Sequence, residues 1–252
     1  MAGLILAGNV YINRLTDAGA STGFLDPVNT TKLAISNPDP DKKERISRMR
    51  DTLGQALDSV NFPKPTEISI AIDDQPRQIM AMAMIGEDVN YSQAAGTVTD
   101  EAVVLIPGRW VPLVRRNINQ TGFVLATAAA PSTPLVEGTD YAVNRVAGLV
   151  KALPGGAITT ATNCLVDYGH AAVNGHRILG AAKPTIRCRI LVDGVNRATG
   201  AQCRLEVYDA TLSPAGEIDF MSGEFITTEL KGTLRTPEGM GQPYVYEEYA
   251  AA

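Results

Sequence analysis

Cysteine, histidine and tryptophan are scarce in this chain of 252 residues, which has three cysteines, two histidines and one tryptophan. Cys164, Cys188 and Cys203 are odd in number and lack CxxC spacing, so we expect reduced thiols rather than a disulfide framework. No apolar run approaches the roughly 20 residues of a membrane-spanning helix, and no basic segment precedes the N-terminal apolar run, unlike in a signal peptide. These absences predict a soluble protein made in a reducing compartment, without membrane insertion.

Sequence signatures of catalysis are equally scarce. We expect no serine-hydrolase elbow, and the chain has no phosphate-binding GxxxxGKS or GxxxxGKT loop and no GxGxxG dinucleotide motif. Cys164, Asp167, His170 and His176 have the side chains of a metal site, but an extended strand would place Cys164 and His170 on one face and Asp167 on the other. We therefore expect no enzyme, no cofactor and no metal site.

The charge balance argues against one class of surface. The chain carries 27 acidic and 22 basic side chains, which gives a net charge of −5 at pH 7. A protein that binds phosphate backbones over a broad surface needs an excess of lysine and arginine. The apolar fraction of 45% is ordinary for a globular protein, so we expect a packed core.

Alternation of apolar and polar residues predicts β-strands from Glu67 onward. Leu135–Leu153 is predicted to form a hairpin with its turn at Asn144–Gly148. The other predicted strands include EISIAI, RQIMAMAMI, TIRCRILVDG, AQCRLEVYDA, EIDFMS and EFITTELKGTL. Strands with one polar face indicate a mainly β fold, an antiparallel β-sandwich or barrel.

One α-helix, over about residues 40–61, is predicted to flank the sheets. Apolar residues recur there at spacings of three and four, and these are Ile46, Met49, Leu53, Leu57 and Val60. Residues 1–38 are rich in Gly, Ser, Thr, Asn and Pro, which favours an extended N-terminal arm. The predicted organisation is thus an arm, 1–38, followed by a β-sandwich domain with its flanking helix, 39–252.

Three short motifs in the β region carry a resemblance to a known family. They are Gly138–Tyr141, with the sequence GTDY, Asp167-Tyr168, and Glu229–Gly232, with the sequence ELKG. Together with the hairpins around them, they resemble the major tail proteins, or tail tube subunits, of tailed bacteriophages of the siphophage type. The likeness extends from Glu67 to about Thr236.

This resemblance implies a structural virion protein that assembles into stacked rings, expected to be hexameric, as the conduit for DNA delivery. The inner sheets of neighbouring subunits would join into a β-barrel, and the arm and the polar insert 86–102 would contact other subunits. The implied partners are further copies of the chain and the tape measure, tail terminator and distal tail proteins. Genomic DNA would pass through without specific binding. The implied location is the virion tail, after assembly in the host cytoplasm.

Other interpretations remain open at this point. The chain could be the inner-tube subunit of a contractile tail or of a phage-derived particle. It could also be a carbohydrate-binding β-sandwich module, although one tryptophan and 6% aromatic residues count against that. For a tube, the candidate lumen-facing acidic residues are Glu67, Asp73 and Asp74, whose alternative position is in turns on the outer surface.

Overall fold

A computed structural model describes residues 3–183 and 185–250, and this part of the chain is mainly β with one helix, as predicted. In chain order the elements are β1 (Leu6–Arg14), β2 (Thr30–Ser36), β3 (Asp41–Ile46), β4 (Ala56–Phe62), β5 (Glu67–Ile72), α1 (Arg77–Ala83), β6 (Glu87–Gln93), β7 (Gly96–Leu105), β8 (Trp110–Pro112), β9 (Val124–Thr127), β10 (Tyr141–Asn144), β11 (Leu149–Ala152), β12 (Thr162–His170), β13 (Val173–Leu179), β14 (Ile186–Asn196), β15 (Gln202–Pro214), β16 (Thr228–Leu234) and β17 (Tyr244–Tyr249). In the described ranges no helix combines the length and apolarity needed to cross a bilayer.

The chain divides into two compact units, and the division differs from the predicted one at residue 38. The large unit comprises the residues up to Asp88 and those from Ile178 onward, and the inserted unit is Val89–Arg177. Strands β6 and β13, in which the chain passes from one unit to the other, pair as a separate two-stranded sheet.

The large unit is built on one curled, half-barrel sheet with the strand order β1-β14-β15-β16-β5-β2, and β17 pairs with β15. The strand pairs run antiparallel. On β14, the side chains of Ile186, Cys188, Ile190 and Val192 are buried, as the alternation predicted. Ile79 and Met82 of α1 complete this core. One face of the sheet is therefore dry and the other polar.

A bulge in β15 changes its alternation partway along. Ile190 lies opposite Val207, but Cys188 lies opposite Ala210, so one extra residue is accommodated between them. The side chain of Asp209 consequently lies on the same face as that of Arg187. Its carboxylate accepts two hydrogen bonds from the Arg187 guanidinium.

Residues 3–38 do not form a separate arm. Strand β1 pairs with β14 over its whole length, and the side chains of Val10 and Ile12 are buried in the main core. Strand β2 pairs with β5. The turn-forming residues that suggested an arm lie in the connection between these two strands, so the segment is an integral part of the sheet.

The predicted helix at 40–61 is wrong, because these residues form the β3–β4 hairpin. A helix with this apolar stripe would need a surface to bury it, but the strand residues of the hairpin are exposed on both faces. Pairing between the two strands provides hydrogen-bond partners for the backbone N–H and C=O groups without any such surface. Gly54, with a φ of 86°, lies in the connecting turn where the left-handed conformation interrupts any helix.

The predicted strand RQIMAMAMI is also wrong, since it contains α1. Ile79, Met82 and Ala83 are buried, at the spacing of one helical face. Pro76 precedes the first turn, where its lack of an N–H costs nothing, and methionine and alanine are good helix formers. Because Met and Ala are both apolar, the segment is compatible with the period of about 3.6 residues of a helix and with the period of two residues of a strand.

The segment EIDFMS, predicted as a strand, lies in an irregular connection between β15 and β16. The polar insert 86–102 contains β6 and the first part of β7.

The inserted unit contains two three-stranded sheets, β7-β12-β9 and β10-β11-β8. Its core includes Leu105, Leu125, Val150 and Val166. The predicted hairpin with its turn at Asn144–Gly148 is confirmed as β10 and β11.

Candidate functional site

The β3–β4 hairpin is a projection with a well-defined turn. At its end the N–H of Ser47 donates to the carbonyl of Gln55 (2.7 Å), and the N–H of Gly54 donates back to Ser47 (3.0 Å). The buried hydroxyl of Ser47 also lies 2.6 Å from that of Thr52. These bonds close the turn at the end of the hairpin.

This hairpin exposes large apolar side chains, which are Ile46, Met49, Leu53, Leu57, Val60 and Phe62. Met49 is 69% and Leu53 72% exposed. Arg45 and Asp58 pair across the strands (2.7 Å), and the ammonium of Lys43 lies 5.6 Å from the centre of the Phe62 ring. An apolar patch rimmed by charges, on an element that buries almost nothing of itself, is typical of a contact surface.

Strands β2 and β17 of the large unit each have an unpaired edge. In the residues that the structure describes, β17 pairs only with β15, and β2 pairs only with β5. Their outer edges leave backbone N–H and C=O groups available to a strand of another chain.

The three candidate acidic residues are not brought together. Glu67 begins β5 and is exposed on its polar face, between Ser36 of β2 and Thr233 of β16. Asp73 and Asp74 follow the other end of β5, about 17 Å away at the rise of a β-strand. The carboxylate of Asp73 accepts a hydrogen bond of 2.7 Å from Asn29.

The same polar face carries arginine–carboxylate pairs that the sequence analysis did not identify. Arg187 lies 2.6 Å from Asp209, and this contact holds the pKa of its guanidinium above the ordinary value. Arg189 and Arg204 both contact the carboxylate of Glu206, which is only 6% exposed. The alternation of apolar and polar residues along β14 and β15 places these side chains on one face. Which arginine meets which carboxylate depends on the register between the two strands. The face is therefore nearly charge-balanced rather than acidic.

The GTDY motif, Gly138–Tyr141, organises a turn. Gly138 has a φ of 85°, and the carboxylate of Asp140 accepts hydrogen bonds of 2.8 Å from the N–H groups of Val136 and Ala157. These two bonds hold the pKa of Asp140 below its ordinary value. Tyr141 is buried in the core of the inserted unit. The motif is thus explained by folding rather than by chemistry.

Gly232 of the ELKG motif is required by a close approach between strands. A Cβ at this position would lie 1.8 Å from the carbonyl oxygen of Thr211 on β15. In the second motif, Asp167 accepts a bond from the N–H of Asp100 (2.7 Å), and Tyr168 donates to Glu101.

The residues considered as metal ligands are dispersed. Cys164 and His170 are buried on one face of β12, Asp167 is on the other, and His176 is exposed on β13. Nδ1 of His170 lies 3.3 Å from the amide nitrogen of Gln93. Within residues 3–183 and 185–250, no three or more His, Cys, Asp or Glu residues are grouped as ligands.

The string Gly19–Gly23 does match the letters GxSxG, although no elbow was expected from the sequence. Ser21 lies in the connection between β1 and β2, where its hydroxyl accepts a bond of 2.5 Å from Asn13. A nucleophile elbow joins a strand to a helix, so this string is not one.

A family model described as "Protein of unknown function UCP028589" matches residues 4–237. The chain therefore belongs to this family. No curated protein matches it.

Proposed function

We propose that this chain, as a member of that family, is a structural subunit that assembles with copies of itself into stacked rings, the tail tube of a bacteriophage. The β3–β4 hairpin is the observation that carries the proposal. It holds six large apolar side chains in solvent, on its two strands and on its hydrogen-bonded turn. Exposure of apolar side chains to water is unfavourable in free energy, and contact with another molecule would bury them.

The edges of the large sheet support the same assignment. Strand addition at β2 and β17 would join the sheets of neighbouring copies, which is how a ring can continue a β-structure from one subunit to the next. A ring formed in this way uses two different edges of each copy, so its contacts are heterologous. Such contacts form a closed ring when the rotation between neighbouring copies adds up to a full turn. The tail-protein motifs of the inserted unit and of β16 favour a tube over other ring-forming proteins.

The polar face of the large sheet suits a conduit for DNA. Arg187 pairs with Asp209, and Arg189 and Arg204 share Glu206, so two of these three positive charges are balanced before a phosphate backbone meets them. A wall with free arginines would hold DNA through counterion release. We propose that this face, with Glu67 on it, lines the lumen, and that Asp73 and Asp74 lie at its rim.

The hairpin can be removed to test the proposal. Replacing residues 41–62 by a short glycine–serine linker removes only side chains that lie outside the main core. We expect the variant to keep the circular dichroism spectrum and the unfolding midpoint of the wild type. Light scattering should show large assemblies for the wild type and none for the variant.

A single substitution serves as a matched control. Val146→Ala removes an apolar side chain that is 79% exposed in the inserted unit, and it should leave assembly unchanged. A wild-type protein that stays monomeric at every concentration, and with partner tail proteins added, would contradict the proposed function.

A further inference from the structure

A second exposed apolar surface lies in the connection between β15 and β16. We name residues 215–227 the acidic loop. Phe220 is 63%, Met221 91% and Phe225 94% exposed. The loop also contains Glu217, Asp219 and Glu224, and it has no lysine or arginine. It therefore combines large apolar side chains with three negative charges.

Hydrogen bonds shape this loop from within and at its base. The carboxylate of Asp219 accepts a bond of 2.8 Å from the N–H of Met221. At the base, the side-chain amide of Gln75 donates to the carbonyl of Ile226 (3.1 Å). These contacts turn the aromatic residues outward while the loop stays attached to the sheet.

The tip of the β3–β4 hairpin has the opposite character. We name residues 46–55 the hairpin tip, which exposes Ile46, Met49 and Leu53 beside Arg48 and Arg50. The ion pairs at the hairpin use Lys42, Arg45 and Lys64, and in the described part of the chain Arg48 and Arg50 form none. The tip contains one acidic residue, Asp51, so its net charge is positive.

These two surfaces lie at opposite ends of the same part of the large sheet. The hairpin joins the end of β2 to the start of β5, where Ser36 is opposite Glu67. The acidic loop enters β16 at Thr228, which is opposite Ile72 at the far end of β5. The length of β5, about 17 Å, separates the two ends. The hairpin and the acidic loop are therefore attached at opposite ends of β5.

We infer that the hairpin tip of one copy docks on the acidic loop of the next copy, with Arg48 and Arg50 facing Glu217, Asp219 and Glu224. This inference rests on the proposed function, and it names the surfaces that stack one ring on another. Both surfaces combine large apolar side chains with charges of opposite sign, so apolar burial drives the contact and the charges select its register.

The arrangement explains why stacking would be open-ended. A contact between two different patches of one subunit leaves a free tip and a free loop after every addition. Each added copy therefore presents the surface that the next one needs. A two-fold contact between like patches would instead stop at a pair.

Charge reversal with rescue tests the pairing. The tip variant carries Arg48→Glu and Arg50→Glu, and the loop variant carries Glu217→Arg and Glu224→Arg. All four positions are exposed, so both variants should fold as the wild type does. Each alone should need a protein concentration about tenfold or more above that of the wild type to form stacks.

A mixture of the two variants should restore stacking, because the reversed tip of one meets the reversed loop of the other. A chain that carries all four substitutions should also stack with itself. The matched control is Arg109→Glu with Arg197→Glu, an equal change of charge at exposed arginines elsewhere, which should stack normally.

The outcomes separate this inference from the proposed function. Single variants that stack like the wild type, or a loss that neither mixing nor the fourfold variant restores, would overturn the docking of tip on loop while self-assembly stands. A wild type that never self-associates would overturn both. Cysteines introduced as Met49→Cys in one chain and Met221→Cys in another should form a disulfide between subunits in stacked material, and absence of that bond counts against the contact.

Discussion

The hydroxyl of Tyr168 donates a hydrogen bond of 2.5 Å to Glu101, and it accepts another, of 3.3 Å, from the backbone N–H of Arg115. The Tyr168 side chain is 2% exposed in the core of the inserted unit. Burial and the Glu101 carboxylate both disfavour the phenolate, so they raise the pKa of Tyr168 above its ordinary value. The Asp-Tyr motif thus closes a buried polar contact rather than forming a catalytic one.

A dependence of stability on alkaline pH follows from this contact. Above the ordinary tyrosine pKa, about 10, the unfolded chain loses a proton that the folded chain keeps at Tyr168. The contribution of Tyr168 to the free energy of unfolding should therefore be fully present below pH 10 and fall as the pH rises further. Urea unfolding at pH 9 and pH 11 measures this difference. Tyr168→Phe should show a smaller difference, and an equal one would contradict the assignment.

The role of β1 in the core is tested by Ile12→Ala. Ile12 is 1% exposed, so the truncation should lower the free energy of unfolding by about 2–5 kcal/mol through lost burial and a cavity. Urea unfolding at a concentration below assembly provides the measurement. Leu57→Ala on the exposed hairpin is the matched control and should change stability by less than about 0.5 kcal/mol. If both substitutions changed the free energy of unfolding by the same small amount, the N-terminal segment would be a detached arm and the assignment of β1 to the core would be contradicted.

Gly232→Ala examines the close approach of β15 and β16. The added methyl group would meet the Thr211 carbonyl, so the strands must separate, at a cost of about 2 kcal/mol or more in the free energy of unfolding. Gly241→Ala, where a Cβ meets nothing within 4 Å, is the control. Similar unfolding midpoints for both variants would contradict this account of the ELKG motif.

The charge-balanced face predicts how assemblies treat DNA. Wild-type assemblies should not retain duplex DNA in a filter-binding assay, because the arginines of β14 and β15 are paired. Glu206→Gln with Asp209→Asn removes the partners of Arg187, Arg189 and Arg204, and it should produce binding in 50 mM salt that disappears by about 200 mM. As a control, Asp26→Asn with Glu238→Gln makes the same change of charge at two exposed positions. Binding by this control as well would show that net charge alone is responsible.

Some of this fold could be predicted from the sequence because one dry face imposes alternation. Ile186, Cys188 and Ile190 alternate with Arg187 and Arg189, and β14 is found there. The β3–β4 hairpin could not be predicted in this way. Its apolar residues at spacings of three and four lie outside any core of the chain, so neither helical nor strand burial governs their positions.

The candidate site depended even more on tertiary structure. Period-two alternation placed Glu67 on a polar face with Asp73 after the strand, but only the register shows that Glu67 lies between Ser36 of β2 and Thr233 of β16. The bulge in β15 brings Asp209 to Arg187, and no sequence period predicts it. The proposed docking surfaces, the hairpin tip and the acidic loop, could be placed at the two ends of β5 only from the strand register.

Electron microscopy of the concentrated, purified wild-type protein tests self-assembly most directly. We predict hollow tubes of stacked rings, or rings that lengthen into tubes as the concentration rises. Sixfold symmetry in end-on views would match the expected ring. Isolated monomers, or closed dimers that do not grow at any concentration, would contradict the account.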